Sequence, residues 1–445
     1  MKSYKKILFL LPVLLLSSCN FTYTYIVPNL PKIGGGGAID DEEEDYSDAG
    51  TYNIKVWVDD KIADLTRSQI KSFVSKSDGN YVINATVEPQ SEGTAASQML
   101  QDVESGADIF IFAQDQLSRL KVAGAVAKVT GKYASFVSKN NSAESVAAAS
   151  LGTNVYAFPV TSDNGYFLYY DKRIIPDADA GDMSKILEDC KSAKKRINFE
   201  ARSNGFYAAS YFMATDLTGT PDADGKLPKL CHSTWKLDEH TGKFTSYDDN
   251  FAGDNGVIAA NGIKELDNTS LVATNSLASK LGDSAAAVVS GIWEYDIAAS
   301  RLKDNLGCAE LPKFTVGNKT YHLGSFDGYK LMGVKPQVDA KKASVCLKLA
   351  RYLTSGECQT QRFKEVSWGP TNLESSARTE VKNHPGLAAL AKQHVYATQQ
   401  SQCPGAWFVS LATTVASIKN NYNDSQIKAA LNKYQVGLDE LLDED

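Results

Sequence analysis

The sequence lacks the short motifs that mark the common classes of enzyme. It has five His, none of them in an H-E-x-x-H motif or an i, i+4 pair, so a helical zinc site is not expected. It also has no G-x-S-x-G nucleophile motif and no G-x-G-x-x-G cofactor loop. Although paired carboxylates for glycoside hydrolysis would leave no local motif, we expect no enzyme activity, no cofactor and no metal.

The sequence carries fewer positive than negative charges. Lys and Arg number 46 against 53 Asp and Glu, a net charge of −7, which argues against nucleic acid as a partner because phosphate binding needs a basic surface. The composition is 43% hydrophobic and 22% charged, which is typical of a globular protein. A chain of 445 residues predicts two to three domains.

The N-terminus carries an export signal. Three lysines within Met1 to Lys6 precede an apolar run from Ile7 to Leu16, which is too short to span a bilayer as a helix. The following Leu16-Ser17-Ser18-Cys19 resembles the signal of bacterial lipoproteins. This resemblance implies a signal peptide over residues 1–18, cleavage before Cys19 and a diacylglycerol on the Cys19 thiol.

The next segment, residues 19–50, is predicted to be a flexible acidic linker. It contains four consecutive glycines, Gly34 to Gly37, and six consecutive carboxylates, Asp40 to Asp45, a composition that cannot pack and repels itself. The folded part is therefore expected to begin near Thr51.

Cysteine is also scarce, with seven residues. The six that remain after Cys19 contain no C-x-x-C pair, so a zinc ribbon or redox dithiol is not expected. Disulfides and buried free thiols both stay open.

What the sequence does contain is an alternation of strands and helices. Ile54 to Val58 and Tyr81 to Val87 alternate as half-buried strands, and Asp108 to Phe112 ends in a wholly apolar run, which is typical of a strand covered on both faces. Helical patterns lie between them, and a second region of the same kind begins after Pro159. The pattern predicts an α/β fold with mainly parallel sheets.

Aromatic and polar residues recur where these strands end, which is where ligands lie in open α/β sheets. The positions concerned are Asp60, Lys61, Phe112, Asp115, Asp163, Trp293, Trp407 and Phe408. A ring beside a hydrogen-bonding group suits a sugar, whose C–H faces pack on aromatic rings while its hydroxyls need partners. Trp368, next to Gly369-Pro370, is expected either to pack a hinge or to touch ligand.

The order of several segments resembles one protein family. These segments are Lys55 to Lys61, Ala107 to Asp115, Phe158 to Val160, Ala287 to Trp293, Leu311 to Phe314 and Ala350 to Glu357. They are similar to the extracellular solute-binding proteins of carbohydrate ABC transporters, most of all those for maltose and maltodextrin. The resemblance implies a type II periplasmic-binding-protein-like fold, with two α/β lobes, hinge crossings and a ligand cleft.

The resemblance also implies how the chain divides between the lobes. Residues 51–161 plus 317–369 would form the N-terminal lobe, and residues 162–316 plus 370–445 the C-terminal lobe. The crossings are expected near Pro159 to Asp163, Leu311 to Val316 and Gly369 to Asn372.

Carried over residue by residue, the resemblance gives each candidate a role. Asp60 and Lys61 match a polar pair that contacts sugar hydroxyls, and Asp115 and Asp163 match carboxylate acceptors. The remaining positions concern rings: Trp293 and Trp407 match stacking platforms, Tyr207 or its neighbour Phe206 a further ring, and Phe112 and Phe408 stand where the family has other aromatic residues. These departures leave the identity of the sugar open.

The resemblance implies a lipid-anchored, monomeric receptor on the extracytoplasmic face of a bacterial membrane. Its partners would be an oligosaccharide and the permease subunits of an ABC importer, with the membrane reached through the lipid alone. Two alternatives remain. One is a receptor of the same fold for a polyamine, because carboxylates with rings also suit a cation. The other is a surface hydrolase or adhesive lipoprotein.

Overall fold

A computed structural model describes residues 23–25, 46–223, 225–238, 241 and 243–442. The predicted signal peptide and the lipidation site at Cys19 lie outside these residues.

The described chain alternates between strands and helices. The strands are β1 Tyr23–Tyr25, β2 Gly50–Val58, β3 Tyr81–Pro89, β4 Ile109–Ala113, β5 Ser150–Leu151, β6 Asn154–Val155, β7 Phe158–Thr161, β8 Phe167–Asp171, β9 Arg196–Asn198, β10 Thr215–Asp216, β11 Ser233–Leu237, β12 Phe244–Asp249, β13 Val272–Ala273, β14 Ala285–Ser290, β15 Leu306–Ala309, β16 Lys313–Val316, β17 Lys319–His322, β18 Ser325–Asp327, β19 Lys330–Val334 and β20 Ala397–Gln399. The helices are α1 Ala63–Lys76, α2 Glu92–Gln101, α3 Leu117–Val122, α4 Gly131–Asn140, α5 Ala143–Ala148, α6 Met183–Ser192, α7 Gly205–Phe212, α8 Asp254–Asn268, α9 Tyr295–Leu302, α10 Ala340–Leu353, α11 Gly356–Val366, α12 Leu373–Ser376, α13 Thr379–Lys382, α14 Pro385–Gln393, α15 Trp407–Ser417 and α16 Asp424–Glu440.

The first lobe is built on a six-stranded sheet in the order β1-β3-β2-β4-β19-β7. Strand β2 runs parallel to both β3 and β4, whereas β19 runs antiparallel to β4 and β7. Every residue of β4 and β19 is buried, which explains why the apolar run of β4 does not alternate.

The second lobe is built on a five-stranded sheet in the order β13-β9-β14-β8-β15. Strand β9 lies parallel to β13 and β14, and β8 lies antiparallel to β14 and β15. The two sheets lie in separate lobes and confirm the predicted α/β class. The expectation of mainly parallel sheets is wrong, because β19 and β8 each run antiparallel to both of their neighbours.

The first crossing is where the sequence places it, since the chain leaves β7 at Thr161 and enters β8 at Phe167. The second crossing is not. Strands β16 and β17 form a hairpin whose His322 pairs with Thr215 of β10, and Phe314 of β16 packs 4.7 Å from the Tyr211 ring. The predicted crossing at Leu311 to Val316 is therefore wrong, because these pairings hold residues 317–322 on the second lobe. The chain returns to the first sheet between His322 and Lys330.

The third crossing comes slightly later than predicted. The backbone N–H of Asn372 donates to Gln359 of α11 at 3.0 Å, and the Ser375 hydroxyl of α12 donates to the Gly356 carbonyl at 2.9 Å. These bonds hold α12 on the first lobe. The chain joins the second lobe at α14, which packs on β8 and β15.

The folded part begins before Thr51, which corrects the predicted linker over residues 19–50, because β1 at Tyr23–Tyr25 already pairs antiparallel with β3. Asp48 is buried, and its Oδ1 accepts from Tyr81 Oη at 2.6 Å and from Lys348 Nζ at 2.8 Å. The ring of Tyr46 lies 5.7 Å from that of Tyr81. Residues from Tyr46 onward are thus fixed to the first lobe.

The six cysteines of the described chain are free, and five of them are buried. Burial raises the pKa of the Cys190 thiol to about 12 and has the same effect on the Cys308 thiol. Thiols held in the protonated form are poor nucleophiles, so these residues serve packing. Within the described ranges, no helix is long and apolar enough to cross a membrane.

The Asp48–Lys348 pair gives a stability prediction. Side-chain exposures of 5% and 8% make it a buried pair, so Asp48→Ala should lower the free energy of unfolding by about 3–5 kcal/mol. Burial alone would raise the pKa of Asp48, but its bonds to Lys348, Ser344 and Tyr81 outweigh burial and lower it. The contribution is therefore present above the ordinary carboxyl pKa and is lost as pH falls through the lowered value.

Urea unfolding at pH 7 and pH 3 would measure both effects. The exposed pair of Glu374 and Arg378 supplies the control, since Glu374→Ala should cost less than about 1 kcal/mol. Equal losses in the two variants would contradict a structural role for Asp48.

Candidate functional site

The two sheets bring strand ends from both lobes to one cleft. On the first lobe, Asp59 to Lys61 follow β2, Glu92 follows β3 and Gln114 to Gln116 follow β4. Because these strands are parallel, their carboxyl ends share one edge of the sheet. On the second lobe, a 3₁₀ turn from Ile292 to Glu294 follows β14 and carries Trp293.

Trp293 of the second lobe is contacted by a side chain of the first lobe. It is partly exposed, and its ring lies over Gly291, where an added Cβ would come within 2.1 Å of the indole. Its carbonyl accepts a hydrogen bond from Lys61 Nζ of the first lobe. The structure thus brings the predicted residues Lys61 and Trp293 together, while Asp60 lies exposed beside them.

A buried charge cluster forms the floor of the cleft. Lys330, the first residue of β19, is fully buried, and its Nζ lies 2.7 Å from Glu92 Oε1. The Nζ is 4.0 Å from the centroid of the Trp368 ring and 5.6 Å from that of Trp293. Burial alone would lower the pKa of Lys330, but the charges of Glu92 and Asp163 outweigh it and raise the pKa.

Asp163 belongs to this cluster, as a carboxylate at the first crossing. It is fully buried, and its Oδ2 accepts from the backbone N–H of Gly369 at 2.5 Å. Burial raises the pKa of Asp163, and the nearby Lys330 charge opposes the rise. This carboxylate therefore links the first crossing to the segment that follows α11 on the first lobe.

Asp115 is more deeply buried than a hydrogen-bond acceptor at the surface of the cleft would be. Its carboxylate accepts from Gln400 Nε2 at 2.8 Å and from Gln116 Nε2. Gln400 Oε1 in turn accepts from Asn164 at 3.0 Å, so the segment after β20 covers the end of β4. Burial raises the pKa of Asp115 to about 6.

Two predicted platforms are part of the hydrophobic cores. Phe112 is fully buried in β4, 5.5 Å from Phe110. Trp407 is 3% exposed, and its Nε1 donates to Tyr434 Oη at 2.8 Å. This corrects the expectation that these rings form the cleft surface, because their faces are already covered by other side chains.

Tyr207 and Phe408 differ in their exposure. Tyr207 is buried, 5.0 Å from the Tyr166 ring, and burial raises its pKa to about 12. Phe408 is partly exposed and lies 6.0 Å from Phe206. It lines an open groove of about 520 Å³ on the second lobe.

Sequence reasoning missed Glu92 and Lys330. Glu92 follows β3 just as Asp60 follows β2, so the rule applied to the other strand ends would have found it. Lys330 opens a buried strand and carries no local signal. Among the described residues, no group of three or more His, Cys, Asp or Glu is placed to hold a metal.

The family follows from the match along the chain. A family model described as bacterial extracellular solute-binding protein matches residues 69–389. The chain belongs to this family. No curated protein sequence matches it significantly.

Solved structures of similar shape cover nearly the whole chain. One, described as a complex with acarbose, has a TM-score of 0.73 and 25% identity, over 88% of this chain and 100% of that one. The maltodextrin-binding protein of L. casei BL23, solved without ligand, has a TM-score of 0.69 and 17% identity, over 89% and 100%. The maltose-maltodextrin binding protein of Alicyclobacillus acidocaldarius has a TM-score of 0.66 and 16% identity, over 86% and 99%.

The raised pKa of Asp115 predicts an unusual pH dependence. An aspartate with a pKa near 3.8 when unfolded and about 6 when folded binds more protons in the folded state between these values. The parent protein should therefore lose stability relative to Asp115→Asn as pH rises from 4 to 7, by at most about 3 kcal/mol.

Chemical unfolding across this pH range would measure the difference. Asp171 provides a control of opposite sign, because its hydrogen bond to Arg173 lowers its pKa. Relative to Asp171→Asn, the parent should gain stability as pH rises. Parallel pH profiles for the parent and Asp115→Asn would rule out a raised pKa at Asp115.

Proposed function

We propose that this protein is a lipid-anchored receptor that captures a neutral oligosaccharide of the maltodextrin type between its lobes and delivers it to the permease of an ABC importer. The observation that carries the proposal is the partly exposed ring of Trp293 at the cleft, a residue whose carbonyl accepts from Lys61 and whose ring lies near Lys330, the ion-pair partner of Glu92. An indole packs against the C–H face of a sugar ring, and charged groups around it bind the hydroxyls.

The family and the similar structures support this proposal. The family is one of extracellular solute-binding proteins, and similar folds are described with acarbose or as maltodextrin-binding proteins. A ligand that touches both lobes would favour the closed arrangement by the difference in its affinity for the closed and open forms.

Each candidate residue takes a part in the proposal. Trp293 supplies the stacking platform, and Asp60 and Lys61 contact hydroxyls at the rim of the cleft. Asp115 and Asp163 act as acceptors once a ligand hydroxyl replaces or joins their present partners. Phe408 offers a second ring toward the open groove, with Tyr207 packed behind its neighbour Phe206.

The N-terminus supplies the membrane attachment in this proposal. Lipid on Cys19 holds the receptor at the extracytoplasmic face, a few residues before β1 of the first lobe. The receptor acts as a monomer and performs no chemistry on its ligand.

Maltodextrins of two to seven glucose units should bind the protein in isothermal titration calorimetry. Trp293→Ala should weaken binding by ~1–3 kcal/mol, the scale of a desolvated aromatic contact. Trp293→Phe is the matched control and should keep most of the affinity, because it keeps a ring.

Three results would count against the sugar hypothesis. One is the absence of binding by any neutral glycan together with clear binding of spermidine, which would favour a polyamine receptor. Another is cleavage of the glycan during the titration, which would favour a hydrolase. The third is unchanged affinity in Trp293→Ala, which would move the site elsewhere.

Lipidation at Cys19 is tested separately from ligand binding. Cells grown with an alkyne analogue of palmitate should label the parent protein, whereas Cys19→Ser should carry no label because the acceptor thiol is gone. Cys308→Ser, which alters a cysteine of the folded part, should label like the parent. Label retained in Cys19→Ser would contradict an anchor at this residue.

A further inference from the structure

The ammonium group of Lys330 is shielded from water, which is unusual for a charged side chain. It is fully buried at the start of β19, where its backbone pairs with Ala113 of β4 and Thr161 of β7. Burying a lysine is costly unless its charge is compensated. The compensation here comes from the cleft between the lobes.

The groups around the Lys330 ammonium form a cage. Trp368 presents its ring at 4.0 Å and Trp293, from the second lobe, at 5.6 Å. Glu92 Oε1 lies 2.7 Å away, and Asp163 adds a further negative charge. Two indoles with two carboxylates are the combination by which proteins hold organic ammonium ions.

The cage keeps unused hydrogen-bonding capacity. Among the described residues, Glu92 Oε2, Asp163 Oδ1 and Trp368 Nε1 are buried without a hydrogen-bond partner, and Lys330 Nζ, although 2.7 Å from Glu92 Oε1, also lacks a well-aligned hydrogen bond. Buried polar groups are normally paired, so these atoms indicate a site with room for more polar contacts than the lysine side chain makes.

The charges that face the cage favour a cation in it. Asp59 also acts to keep Lys330 charged, whereas the ammonium of Lys61 lies near Glu92 and helps to lower its pKa. Without Lys330, the carboxylates of Glu92, Asp163 and Asp59 would face the cage with Lys61 alone to balance them.

We propose that the Lys330 side chain permanently occupies a site suited to organic cations, and that it thereby makes the cleft of this receptor select neutral ligands over polyamines. This inference rests on the proposed function, because it names what the same cleft excludes. A spermidine ammonium would need the position that Lys330 already fills, whereas a neutral sugar needs only the exposed part of Trp293 and the remaining hydrogen-bonding atoms.

Lys330→Ala tests the proposal, because it removes Cγ, Cδ, Cε and Nζ and so empties the cage of a propylammonium-sized group. The melting temperature should fall in the variant and then rise by about 2 °C or more with 20 mM n-propylammonium chloride, through binding to the folded state alone. The parent, whose cage is filled, should show no such rise. Propan-1-ol, which has the same chain without the charge, should not rescue the variant.

The double variant Lys330→Ala with Glu92→Gln is the matched control. It has the same cavity but lacks the carboxylate nearest the ammonium, so n-propylammonium should have little effect on it. If Lys330→Ala fails to fold alone, the same experiment becomes refolding with and without the amine. Folding that needs the amine supports the proposal, and failure in both conditions contradicts it.

Equal rescue by amine and alcohol would overturn the cation site, as would a spermidine-induced shift in the parent. Titration of maltodextrin into the parent is read independently. If maltodextrin does not bind but the amine rescues Lys330→Ala, the proposed sugar function fails while the cation cage stands. If maltodextrin binds but the rescue is absent, only the present inference fails.

Discussion

The buried ammonium of Lys330 determines how charge is arranged in the cleft. Glu92 and Asp163 could not both remain ionised in so dry a place without a nearby cation, since burial opposes the ionisation of each. The Lys330 charge outweighs burial at Glu92 and lowers the pKa of that carboxyl. The same ammonium lies 5.6 Å and 4.0 Å from the ring centroids of Trp293 and Trp368, so one group ties the sheet of the first lobe to the second lobe and to the segment after α11.

At Asp115, the partners of the buried carboxylate are neutral amides and not an ammonium. Asp115 has Gln400 and Gln116 as partners instead of a bound cation, and burial raises its pKa although the hydrogen bond from Gln116 and the charge of Arg119 oppose the rise. The Gln402 side chain donates to the Gln114 carbonyl at 2.6 Å, which adds a second contact from the segment after β20 to the end of β4. A ligand hydroxyl at Asp115 would have to match these amide bonds, whereas at Trp293 it meets a ring that is already partly exposed.

The fold was largely predictable because its signals are local. Alternating and continuous apolar runs gave β2, β3 and β4, and the parallel sheet placed their ends together. Exposure of aromatic residues was less predictable, since the sequence does not show which side chains will cover a ring. Phe112 and Trp407 follow the same local pattern as Trp293, yet Phe110 covers one and Tyr434 with Phe251 the other. The second crossing was misplaced for a similar reason, because the pairing of His322 with Thr215 joins distant segments.

The sequence by itself determined the α/β class and the chain positions at which the strands end, and it predicts an export signal and an acidic linker. These depend on composition and periodicity within short windows. Only the tertiary structure decided that Lys330 meets Glu92, that Lys61 reaches the carbonyl of Trp293, and that Asp48 fixes the end of the linker to Lys348. The physical reason is that the pKa of a charged group and its contribution to stability depend on the partners that folding brings near it. Those partners come from segments far apart in the chain.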